Sequence, residues 1–121
     1  MAGTVTTTEE VYGPVNKITF DWLSDASGDA TATTTGGHNG ELIRAVFVPD
    51  TSTTAPSDQY DVTLSDGQSV DLLAGQGVNL SNVNTVVVVD DLIPLAGNKL
   101  TLTVANAGNA KGGVVYLYYR E

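Results

Sequence analysis

"LTLTVANAGNAKGGVVYLYY", residues 100–119, decides the fold. Leu100, Leu102 and Val104 alternate with Thr101 and Thr103, the period-two signature of a strand with one buried face. Beyond a loop of Ala, Asn, Gly and Lys, the second strand abandons that alternation. Val114, Val115, Tyr116, Leu117, Tyr118 and Tyr119 are apolar or aromatic on both faces. Something must cover the second face.

The rest of the chain repeats the first pattern more often than the second. "VNKITFDWLSD" sets Ile18, Phe20 and Trp22 on one face and Lys17, Thr19 and Asp21 on the other. "DATATTT" reads as a polar edge strand, and the turn "GGHNG" follows at 36–40. "ELIRAVFV" is apolar on both faces apart from Arg44. "QYDVTL" and "SVDLL" flank Asp66-Gly67, a dipeptide that supplies the positive φ angles of a tight hairpin. "VNTVVVVDDLIPL" reads as one further two-faced strand. Thr and Val dominate, both stiff at χ1 and suited to a pleated surface, and no stretch carries a helical stripe. Turn signals every 8–15 residues or so predict an all-β chain, an antiparallel β-sandwich of about eight strands. Jelly-roll winding is the preferred form, with an immunoglobulin-like sandwich as the alternative. Residues 1–14 read as an extended arm and 15–121 as a single sandwich domain.

At 121 residues the chain is long enough for one real core. Five Lys and Arg against fourteen Asp and Glu give a net charge of −9, which argues against nucleic acid and anionic membrane as partners. The absence of Cys removes disulfides, thiolate metal sites and a Cys nucleophile. "MAGTVTTTEE" has neither a basic start nor an apolar core, so it does not read as a secretory signal.

Candidate chemistry is sparse. His38, the one histidine, sits among turn-forming glycines without a G-x-S-x-G elbow elsewhere. Asp25 and Asp29 could begin a calcium site, but their spacing matches no EF-hand loop. The pairs Asp58 with Asp61 and Asp90 with Asp91 are weaker, and Gly75-Gln76-Gly77 lacks the third glycine of a dinucleotide loop. Trp22 or the C-terminal tyrosines could stack a sugar, although Trp22 continues the Ile18–Phe20 face. The expectation is a protein that is not an enzyme and carries no cofactor or metal.

Three two-faced stretches, 42–48, 86–89 and 114–119, are hard to cover within so short a chain. A symmetric homo-oligomer is therefore expected, with Trp22, Phe47, Val87, Val89, Tyr116 and Tyr118 at its interface.

The phrases "KITFDWLSDASGDATATTT", "APSDQYDVTL" and "LTLTVANAGNAKGG", within a similarity covering about residues 15–120, resemble a family of small tailed-bacteriophage proteins. These belong to the head-gene neighbourhood, near the major capsid protein. The resemblance implies a virion component on the capsid surface, made in the host bacterial cytoplasm: a decoration or cement protein bound to the major capsid protein. Such proteins are β-rich and commonly trimeric at local three-fold positions, sometimes dimeric, so a trimer is favoured and a dimer is the alternative. No catalytic residue carries over. The arm, with Val5, Val11 and Tyr12, would suit capsid attachment by strand addition. A tail or head-fibre module binding host-surface glycan is the competing reading.

Overall fold

The computed structural model describes residues 3–12, 15–34, 39–65, 77–88, 93–96 and 99–120. Among them lie nine strands: β1 (Thr4–Tyr12), β2 (Val15–Leu23), β3 (Ala30–Thr33), β4 (Asn39–Pro49), β5 (Asp61–Ser65), β6 (Val86–Val88), β7 (Ile93–Ala96), β8 (Thr101–Ala105) and β9 (Gly112–Arg120). All pair antiparallel in two sheets. The larger runs β1-β2-β9-β4-β6, with β7 also on β4; the smaller runs β3-β8-β5. The protein is an antiparallel β-sandwich. Among the described residues its two sheets hold six strands and three.

Period-two patterning builds the core between the sheets. From the large sheet come Ile18, Phe20, Trp22, Leu42, Ala45, Phe47, Val115, Leu117 and Tyr119; from the small sheet come Ala30, Val62, Leu64, Leu102 and Val104. The outer face of the small sheet is instead a hydroxyl ladder. Thr31 and Thr103 lie opposite each other with Oγ1 atoms 3.3 Å apart, and Thr33 and Thr101 with Oγ1 atoms 2.9 Å apart. The polar edge expected of "DATATTT" is β3.

The two strands of residues 100–119 do not pair with each other. β8 belongs to the small sheet and β9 to the large one, so "ANAGNAKGG" crosses the sandwich. A second crossing, from β2 to β3, docks against it. Ser24 is fully buried; its hydroxyl donates to the Gly108 carbonyl and accepts from the Lys111 amide at 2.9 Å. The Ala107 amide donates to the Gly28 carbonyl at 3.0 Å. Gly28, at φ 86°, must be glycine, because a Cβ there would stand 2.7 Å from the Gly108 amide nitrogen. Gly113 faces another constraint: a Cβ would meet the Trp22 ring and the Val48 carbonyl oxygen, each at 2.8 Å.

Two expectations change in the structure. Trp22 (2% exposed) and Phe47 (0%) lie in the core rather than at a subunit interface, because their strand parity turns them toward the small sheet. Residues 4–12, read as an arm, are extended, but all nine pair in unbroken register with β2. Within "VNTVVVVDDLIPL" the described residues include β6, which pairs with Ala45–Phe47, and β7, which pairs with Asn39–Leu42; β4 carries a bulge between Leu42 and Arg44 in its pairing with β9. The Asp66-Gly67 hairpin lies outside the described residues.

Candidate functional site

The outward face of the large sheet carries the chain's unusual chemistry. β9 is central, between β2 and β4, so its outward residues Val114, Tyr116 and Tyr118 have neighbours on both sides. Register places Thr19 and Val46 beside Tyr116, Asp21 and Val48 beside Val114, and Lys17 and Arg44 beside Tyr118. Val87 on β6 continues the Tyr116 row beyond Val46 and is 51% exposed. Tyr116, Tyr118, Val46, Val48 and Val114 are half-buried. The bulge keeps Leu42, Ala45 and Phe47 inward despite their mixed parity, and leaves Ile43 and Arg44 outward.

Electrostatics sharpen the picture. The Lys17 ammonium stands 4.5 Å from the Tyr116 ring centroid and 5.9 Å from that of Tyr118, within cation–π range of both. Arg44 and Arg120 follow the same outward parity. Lys17, Arg44 and Arg120 share this face with Glu10, opposite Lys17, Glu41, opposite Arg120, and Asp21, so its charges are mixed. A hollow of about 330 Å³ lined by Val15, Ile43, Arg44 and Tyr118 opens between them. Tyr and Arg are the residue types enriched at the energetic centres of protein interfaces.

The other candidates resolve differently. Asp25 is a turn-former: its carboxylate accepts the amides of Ser27 at 2.8 Å and Asp29 at 3.0 Å. The Asp29 amide is the main reason its carboxyl titrates below the ordinary aspartate range, with desolvation opposing and the Ser27 amide assisting. Asp25 and Asp29 do line one hollow, of about 420 Å³, with Gly3, Ala30, Thr31 and Thr103. Asp58 accepts the Asn82 amide, and Asp61 accepts the Asn79 amide and the Asn106 side-chain amide, so each ties loops together. Among the described residues no group of three His, Cys, Asp or Glu side chains could hold a metal ion. His38, Gly75, Gln76, Val89, Asp90 and Asp91 lie outside the described residues. Trp22, being buried, offers no stacking platform to a sugar.

No family model matches the chain, and no curated protein matches it. Of the expected interface residues, the structure brings Val87, Tyr116 and Tyr118 onto one face and sends Trp22 and Phe47 to the opposite one. Val5, expected to attach to a capsid, packs against the core. Val11 and Tyr12 lie on β1 opposite Asn16 and Val15. The clustering of Lys17, Arg44 and Arg120 was not read from the sequence, because it depends on strand order. Its only local signal is their shared parity with Thr19, Val46 and Tyr118.

Proposed function

We propose that the protein is a non-enzymatic structural component of a tailed-bacteriophage virion, which decorates and stabilises the capsid as a homo-oligomer. One observation supports this most: the Tyr116–Tyr118 face, flanked by Lys17 and Arg44 and extended by Val46 and Val87. It is a broad sheet face with interface composition, not a cleft that would enclose a substrate. Its rim of mixed charge, with Glu10 beside Lys17 and Glu41 beside Arg120, suits a polar protein partner such as a capsid shell, and repetition across the shell turns modest contacts into firm retention. The resemblance of residues 15–120 to phage head proteins supports the same reading.

The test is co-sedimentation with shells assembled from the major capsid protein. Replacing Tyr116 and Tyr118 together by Ala should lower occupancy at least tenfold while the chain stays folded. Full occupancy by the double variant would sink the assignment of this face. The half-exposed tyrosines also favour a second reading, glycan stacking by a tail or head-fibre module. Saturable binding on a host-glycan array, lost in the same variant, would move the assignment there.

A further inference from the structure

β1 is a long sheet edge. Natural edges are blunted by shortness, Pro, charged side chains or bulges, since an open row of N–H and C=O groups templates pairing with another chain. β3, an edge of the small sheet, has four residues, and β7 contains Pro94. β1 has nine residues with no Pro and no break in its register with β2, its charges are confined to Glu9 and Glu10, and among the described residues no strand pairs with its far side.

The sequence of β1 is matched to its own reverse. When two copies pair antiparallel about a two-fold axis at Thr8, residue i of one meets residue 16 − i of the other, and all nine residues of each strand are used. Val5 then faces Val11 of the second copy, Thr6 faces Glu10, Thr7 faces Glu9, and Thr4 faces Tyr12. Apolar meets apolar and every carboxylate meets a hydroxyl. Neighbouring registers are worse. An axis at Thr7 sets Val5 against Glu9, and an axis at Glu9 sets the two Glu9 carboxylates against each other. Each facing pair shares a sheet face, so Val5, which packs on the core, continues the inner apolar row across the junction.

We infer that β1 is a docking edge for a second copy of this chain, joining two large sheets into one continuous sheet through antiparallel β1–β1 pairing centred on Thr8. The symmetry is two-fold, the alternative to the trimer expected from the sequence. The inference is independent of what the Tyr116 face binds: shell co-sedimentation tests that face, and solution mass tests this edge.

Sedimentation velocity of the full chain from about 1 to 100 µM should show a dimer. Thr8 is exposed, so Thr8→Glu leaves the fold intact, which the emission of the buried Trp22 would report. It sets like charges opposite each other on the axis and should weaken the dimer roughly three- to tenfold. Because the chain has no Cys, single cysteines give a clean register test. Thr8→Cys should form a disulfide-linked dimer under mild oxidation. Thr6→Cys, offset by four residues or about 13 Å from its own copy, should not. A monomer across the whole range overturns the inference. So does a trimer, or a dimer that is insensitive to Thr8→Glu and cross-links equally at both positions.

Discussion

The Lys17 ammonium lies over the Tyr116 ring, 4.5 Å from its centroid, with Tyr118 at 5.9 Å. That contact answers the question raised by the two-faced strand at 114–119. The second face of β9 is covered in part by its own sheet: Thr19 and Val46 flank Tyr116, and Arg44 flanks Tyr118. Lys17 holds its ammonium head over the two rings from the neighbouring strand. A covered but unburied aromatic pair is thereby available to a partner.

Lys17→Ala should destabilise the fold by about 0.5–1 kcal/mol, the size of a half-exposed cation–π contact with its packing. Lys17→Arg should recover most of that loss. Urea unfolding midpoints at constant m-value measure both. An Ala variant as stable as the parent would show that the cation contributes no net energy there.

Ser24→Ala should cost more, about 1–3 kcal/mol, although a single oxygen is removed. The Ser24 hydroxyl is fully buried and serves the Gly108 carbonyl and the Lys111 amide at the junction of the two sheet crossings. Its loss takes a hydrogen-bond partner from each. The same denaturation experiment reads it, with Ser27→Ala, an exposed position in the neighbouring turn, as the control expected to change little.

Period-two alternation made the inward sets Ile18–Phe20–Trp22 and Leu102–Val104 legible before any coordinates, because burial of a pleated strand depends only on parity. The parity of Trp22 points to the core, where it lies, while its residue type does not distinguish core from interface, since aromatics enrich both. The bulge at Leu42/Arg44 escaped notice because a parity flip within "ELIRAVF" looks the same as a strand with two dry faces. β1 escaped as well. "TVTTTEEVY" has too few apolar residues to announce a strand, and its pairing follows from the open edge of β2, a non-local fact. The charged rim around the tyrosines depends on strand order for the same reason.

Deleting residues 3–12 should therefore cripple the fold rather than trim an appendage. It removes a nine-residue strand from β2 and uncovers the core beside Val5. A loss of several kcal/mol is expected, on a total stability of about 5–15 kcal/mol. The readout is Trp22 emission on denaturation: a red-shifted or non-cooperative variant is expected. A truncated chain with an unchanged midpoint would restore residues 4–12 to the status of an arm.

Tyr60 should make the fold sensitive to alkaline pH. Its side chain is 1% exposed, with its ring centroid 5.6 Å from that of Trp22, and desolvation pushes the phenol up from 10.0 to about 12. The folded state therefore holds its proton more tightly than the unfolded chain does. Between pH 10 and 12 the folded state binds more protons, so stability conferred by the neutral phenol is intact below pH 10 and is lost as pH rises through the folded value. Urea midpoints measured from pH 9 to 12 should fall across that window. Tyr60→Phe has no proton to lose, and its midpoint should fall less steeply. Tyr118→Phe, changed on the half-exposed outer face, should follow the parent. Parallel decline of the parent and Tyr60→Phe would place the alkaline sensitivity in other groups and remove Tyr60 as its cause.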